Sequence, residues 1–205
     1  MTQAFEAVRT RLLLLNRGEP DWTRAADGDP PLSESGLTAV ELTAAMLPAF
    51  SHIAASPQPA SRATAETLSM IRGASLWWRE DLDELRTRQP VTDLATYRAW
   101  LDGLFDLIGD APPGESLSDG AHRLTVALRA IGDQFYGRTT LVVTHPLILL
   151  GFRAEHMRAM PTRDQLESLP DLGLATVDYL EGQFYLVEDF PTRWQAAGSL
   201  RARRA

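Results

Sequence analysis

The apolar run Leu12-Leu13-Leu14-Leu15 gives way at once to Asn16-Arg17-Gly18-Glu19-Pro20. A short continuous run that stops in a polar, glycine-containing turn predicts a buried central strand delivering side chains to the C-terminal edge of a sheet. Asp21 to Pro31, rich in Asp, Gly and Pro, reads as a loop. Ser33 then caps a helix, with Leu32 and Leu37 at the positions of a hydrophobic staple. Val40, Glu41, Ala44 and Leu47 continue that helical spacing as far as Pro48. Phe50 to Ala55 predicts a short strand, and Ser56-Pro57 turns it into a helix through Thr64, Thr67 and Leu68. After Trp77-Trp78, a strand or extended segment is expected around Asp81 to Leu85. Thr92 caps a helix with Leu94, Tyr97, Leu101, Leu104 and Ile108 on one face. Asp110 to Gly114 is a loop before a long amphipathic helix carrying Leu117, Leu124, Leu128, Ile131 and Phe135. Leu141 to His145 is a second buried strand, and Pro146 opens the helix after it, where its missing N–H does no harm. Gly173 to Leu180 and Phe184 to Val187 form a hairpin turning at Glu181-Gly182.

Strands alternating with helices predict an α/β fold, a three-layer α/β/α sandwich on a mostly parallel central sheet. No internal repeat and no dividing linker is visible. The expectation is one domain over 1–205, with 1–10 a lead-in and 191–205 a C-terminal tail.

Composition narrows the function classes. Of 205 residues, 44% are hydrophobic and 23% charged, as in an ordinary globular chain. The sequence holds no cysteine, which excludes disulfides and thiolate metal sites. A net charge of -7 and a pI near 5.1 argue against nucleic acid as a partner. The Arg201-Ala202-Arg203-Arg204 cluster reads as a solvated tail. Glu6, Arg9 and Arg11 interrupt what a signal peptide would keep apolar, and no stretch reaches the ~20 apolar residues of a membrane span. A cytoplasmic protein without a membrane partner is expected. His52, His122 and His156 fall on separate elements without metal-ligand spacing, so neither a metal nor a cofactor is expected.

With these elements in order, the chain resembles the histidine phosphatase superfamily, the phosphoglycerate-mutase-like proteins. The family's Leu-Val-Arg-His-Gly-Glu corresponds to Leu14-Leu15-Asn16-Arg17-Gly18-Glu19. Its Asp-x-Pro-Leu-Thr-Glu-x-Gly corresponds to Asp29-Pro30-Pro31-Leu32-Ser33-Glu34-Ser35-Gly36. Its Ser-Pro-Leu-x-Arg-Ala-x-Gln-Thr-Ala-Glu corresponds to the stretch from Ser56 to Glu66. Gly114-Glu115-Ser116, with Arg123 further on, and Val142-Val143-Thr144-His145-Pro146 complete the set.

The resemblance implies a covalent phosphohistidine route, with arginines and a second histidine on the phosphoryl oxygens and a Glu or Asp protonating the leaving group. At the matched positions the groups differ. Arg17 stands at the nucleophile, and a guanidinium keeps its proton and has no lone pair to attack with. Asn16 and Ala60 stand at the two phosphate-clamping arginines, and Pro146 replaces a glycine that would offer an N–H. His145 matches the second histidine, and Glu84 falls where the proton donor is expected.

The resulting expectation is a pseudoenzyme: a histidine-phosphatase fold inactive as a phosphatase and binding a small anionic or phosphorylated ligand. The alternative is a weak phosphomonoesterase or mutase-like enzyme with His145 as nucleophile and Glu84 as acid. Two readings of the arginines stay open. In one, Arg17, Asn16, Arg62, Thr144 and His145 form a rewired anion pocket. In the other, Arg17 pairs with Glu84 or Glu19, Arg62 is solvated, and His145 is a hydrogen-bonded structural residue. Trp77 and Trp78 are expected to place one ring in the core and one at its edge. Glu115 and Ser116 are expected to cap the long helix.

Overall fold

Leu12, Leu13, Leu14 and Leu15 are each 0% exposed, a state a strand reaches when both faces of its sheet are covered. The computed structural model describes residues 8–25, 29–87, 91, 93–105, 114–157 and 161–191. Along them run β1 (Thr10–Asn16), α1 (Glu34–Ala44), β2 (His52–Ala55), α2 (Pro59–Arg72), β3 (Ser75–Trp78) and α3 (Leu94–Phe105). There follow α4 (Leu117–Gln134), β4 (Thr139–Thr144), α5 (Pro146–Met157), α6 (Arg163–Ser168), β5 (Leu174–Leu180) and β6 (Gln183–Glu188).

Alternation along β1 splits the core in two. Leu12 and Leu14 pack with Leu124, Leu128, Ile131, Ile148 and Phe152, from α4 and α5. Leu13 and Leu15 pack on the opposite face with Val40, Ala44, Ala65 and Leu68, from α1 and α2. This is the expected three-layer arrangement, and it explains why the leucine run has no polar interruption.

The six strands lie in the order β3-β2-β4-β1-β5-β6. β1 to β4 are parallel to one another, β5 runs antiparallel to β1, and β6 runs antiparallel to β5. The register sets Asn16 opposite Thr144, so Arg17 and His145 leave neighbouring strand ends, and Arg17 N donates to Thr144 O at 2.9 Å. Ligands of open α/β sheets bind outside such carboxyl ends.

Local signals place the helices. Ser33 Oγ accepts from Gly36 N at 2.9 Å and Ser116 Oγ from Asp119 N at 3.1 Å, so both serines are N-caps. Gly36 has no side chain because a Cβ there would meet Glu19 O at 2.7 Å. Glu181 (φ 49°) and Gly182 (φ 80°) make the left-handed hairpin turn.

The fold departs from the sequence pattern at several points. The strand after the second helix is Ser75–Trp78, not Asp81 to Leu85; Glu80–Leu82 is a 3-10 turn. Leu82 is buried there, and the chain bends away so that Asp83 and Glu84 leave the sheet. Neither adjacent tryptophan enters the core: Trp77 is 38% and Trp78 40% exposed, since β3 is an edge strand. Trp77 instead stacks on His52, and Arg62 lies over Trp78. Leu32 packs on the core while Leu37 stays exposed. α6 was not foreshadowed by the apolar pattern. Thr92 and Ile108 lie outside the described residues, as do most of the lead-in and tail; Asp93 Oδ1 accepts from Thr96 N at 2.8 Å at the start of α3. Among the described residues, no helix is long and apolar enough to cross a membrane.

Candidate functional site

Beyond the C-terminal ends of β1 and β4 lies a cavity of about 360 Å³, lined by Arg17, Glu84 and His145 together with Asp29, Gln58, Ala60 and Asp83. Trp22, Tyr97 and Trp100 supply an aromatic wall. The three residues singled out as nucleophile position, proton donor and second histidine therefore share one space.

His145 is the best determined of them. Its Nε2 lies 3.0 Å from Ser56 Oγ, and the Ser56 hydroxyl lies 2.6 Å from Asp83 Oδ1. Ser56 has one proton. When Asp83 is ionised that proton goes to the carboxylate, so the imidazole must donate from Nε2–H and keep its lone pair on Nδ1. Burial, reinforced by the positive charges of Arg17 and Arg123, holds the His145 pKa well below its ordinary value. The ring is neutral at neutral pH.

Glu84 is occupied by the scaffold. Its Oε2 accepts from Leu147 N at 3.2 Å, and its Oε1 from Ile148 N at 3.1 Å and Leu85 N at 3.0 Å. Two of those donors belong to the first turn of α5, so the carboxylate fills the positive end of the helix. Pro146 removes a third donor at the same place. Burial pushes the Glu84 pKa up, opposed by these N–H groups and by Arg17.

Arg17 is 8% exposed. Its Nη1 donates to Gly18 O at 3.0 Å, and the carboxylate beside it is Asp171, at 3.8 Å. Neither Glu84 nor Glu19 is the near partner: Glu19 accepts instead from Ser33 and Ser35. Among the described residues, the guanidinium, with five N–H groups to place, makes that single hydrogen bond.

The structure does not bring the other expected ligand residues into the cavity. Asn16 is 1% exposed and donates from Nδ2 to Pro170 O at 3.0 Å, while its buried Oδ1 has no partner among the described residues. Thr144 Oγ1 donates to Leu82 O at 2.6 Å. Arg62 donates to Pro57 O and lies over Trp78, outside the lining. Ala60 does face the cavity but offers no polar atom.

Sequence reasoning missed the groups that set the cavity's character. Arg123 forks onto Glu115 and also donates to the carbonyls of Asp81, Asp83 and Glu84, and so holds the loop that carries two of the carboxyls. Gln58 accepts from Glu84 N and donates to Asp29 Oδ1. Asp29 and Asp83 both have pKa values raised by burial. The lining therefore brings together three acidic residues, Asp29, Asp83 and Glu84, and two arginines, Arg17 and Arg86. Asp29, Ser56, Gln58, Glu115 and Arg123 all lie in the motifs noted in the sequence, but those motifs did not give their contacts. Among the described residues, no group of His, Asp and Glu is placed to hold a metal ion.

Comparison with known proteins agrees with this architecture. A family model, the histidine phosphatase superfamily (branch 1), matches residues 12–189. The solved structure of YhfR from Bacillus stearothermophilus is similar with a TM-score of 0.73 at 24% identity, covering 88% of this chain and 96% of that one. Phosphoglycerate mutase from Bacillus anthracis gives a TM-score of 0.74 at 18% identity, covering 95% and 98%. A mycobacterial glucosyl-3-phosphoglycerate phosphatase gives 0.66 at 20% identity, covering 88% and 98%. Curated proteins yield no match. At these identities the structural likeness speaks for the fold.

Proposed function

The chain belongs to the histidine phosphatase superfamily (branch 1), and from that premise we propose a protein that binds a small anionic or phosphorylated ligand without forming a phosphohistidine. One observation carries the reading. A buried guanidinium, Arg17, lines the shared cavity and among the described residues makes one hydrogen bond, to Gly18 O, beside Asp171 at 3.8 Å. Such a fork is suited to a carboxylate or phosphate. One solved relative by fold, phosphoserine phosphatase from Entamoeba histolytica, carries phosphorylated small molecules in two structures: phosphoserine in a mutant form and 3-phosphoglyceric acid in the other. A cytoplasmic setting belongs to the same proposal, and the cysteine-free sequence is compatible with it.

A second reading is favoured by His145. Its neutral ring, held by Ser56 in the same cavity as Glu84, has the protonation state a nucleophile or base needs. Against it, three N–H groups hold Glu84 as an acceptor, which opposes its acting as a proton donor.

The test is titration of purified protein with inorganic phosphate, together with hydrolysis of an aryl phosphate. The expected result is phosphate binding that is lost in Arg17→Gln, with no turnover. Turnover that disappears in His145→Ala would overturn the binding reading in favour of the enzyme.

A further inference from the structure

The cavity is lined by a second set of groups that an anion at Arg17 does not use. Trp22 and Tyr97 stack with ring centroids 4.7 Å apart, and Tyr97 and Trp100 lie at 6.0 Å. Three aromatic rings thus form one continuous wall of the space. Facing the same space are Asp29 and Asp83. Asp29 spends Oδ1 on Gln58 Nε2, and Asp83 spends Oδ1 on Ser56 Oγ. Neither forms an ion pair with another described residue.

A ring face attracts a positively charged nitrogen through its quadrupole, and does so more strongly where water is excluded. Half-buried carboxylates that make no ion pair among the described residues add to that attraction, although the field of Arg123 reaches Asp83. Burial raises both pKa values, and at Asp83 the field of Asp29 adds to it while Arg123 opposes it. A phosphate there would meet like charge; an alkylammonium would meet its complement.

Building on the anion reading above, we propose that the ligand is zwitterionic: its acidic group meets Arg17, and its alkylammonium sits between the Trp22–Tyr97–Trp100 wall and the carboxylates of Asp29 and Asp83. A ligand of this class spans opposite charges in a cavity of about 360 Å³, a size typical of small-molecule sites.

Calorimetric titration of the full chain with four probes separates the two ends: inorganic phosphate, tetramethylammonium, phosphocholine, and 3,3-dimethylbutyl phosphate, the uncharged carbon isostere of phosphocholine. Phosphocholine is expected to bind about tenfold or more tighter than the isostere. That preference collapses toward unity in Asp29→Asn and in Trp22→Leu, while both variants keep their affinity for inorganic phosphate. The wild-type ratio alone decides the point if a variant fails to fold. An isostere that binds as tightly as phosphocholine overturns the ammonium site and leaves the Arg17 reading standing. Tetramethylammonium binding that is lost in Trp22→Leu, without binding of any phosphate, supports the ammonium site and removes the anion reading. Silence from all four probes overturns both.

Discussion

Arg123 meets Glu115 in a two-bond fork, Nε to Oε1 at 2.8 Å and Nη2 to Oε2 at 2.7 Å, with both side chains nearly buried. The remaining N–H groups of the same guanidinium reach the carbonyls of Asp81, Asp83 and Glu84. Glu115 also accepts from Arg86 N. One ion pair thus ties the start of α4 to the loop that forms a wall of the cavity.

Removing one partner leaves a buried charge and several carbonyls unpaired. Arg123→Ala is expected to destabilise the protein by about 3–5 kcal/mol. Arg123→Lys should recover only a small part, since an ammonium cannot reproduce the fork. Urea denaturation midpoints check this; an Arg123→Ala variant within about 1 kcal/mol of the wild type, on the scale of exposed pairs, would remove the pair's structural role.

Glu84 acts on α5 as an N-terminal cap supplied from a distant loop. Glu84→Ala frees the Leu147 and Ile148 N–H groups and is expected to cost about 1–2 kcal/mol. Glu84→Gln keeps one acceptor oxygen but aims an NH2 at donors, and should recover less than half of that. Thermal melting distinguishes the variants. A Glu84→Ala protein as stable as the wild type would return Glu84 to the role of a free acid.

His145 makes stability depend on pH. Its pKa is lowered in the folded protein from the ordinary value of 6.5, so its contribution is present in full above that value. It is lost as pH falls toward the depressed folded pKa. Over that window the slope approaches about 1.4 kcal/mol per pH unit. Glu84, Asp29 and Asp83, whose pKa values are raised, act in the opposite sense, stabilising more as they become protonated. Comparing wild type with His145→Gln by urea denaturation at pH 7.5 and pH 5.0 isolates the histidine. The wild type should lose more stability than the variant on acidification; equal losses would show that the ring is already charged or unburdened.

Restoring the superfamily's groups tests the residue correspondence. The triple change Asn16→Arg, Arg17→His and Ala60→Arg is expected to give measurable aryl-phosphate hydrolysis where the wild type shows none, since it supplies an attacking imidazole and clamping donors worth about 100-fold or more each. Ala60 faces the cavity, whereas Asn16 is enclosed, so the new arginine at 16 must displace the contact with Pro170. Circular dichroism and activity together decide the matter: a folded but inert triple variant would undo the assignment of Arg17 to the nucleophile's place.

Much was readable along the chain where one local cause dominates. The leucine run, the serine caps, the proline opening α5 and the Glu181-Gly182 turn each follow from burial, hydrogen bonding or backbone freedom within a few residues. Motif order led to the superfamily and to Arg17, His145 and Glu84 as residues worth placing. The stretch from Trp77 to Glu84 departs from its local pattern because its strand is an edge and its acidic residues serve partners far away in sequence. Arg62 and Thr144 show the complementary failure: a matching position does not say which way a side chain is spent.

The sequence by itself determined the layered fold and the permanently charged guanidinium just past the end of the first strand, because burial periodicity and side-chain chemistry are properties of residues in order. Only the tertiary structure decided that Glu84 is consumed by the end of α5, that Ser56 and Asp83 lie against His145, and that aromatic rings and the carboxyls of Asp29 and Asp83 line the cavity with Arg17. Those are consequences of distance between segments brought together by packing, and no local pattern encodes them.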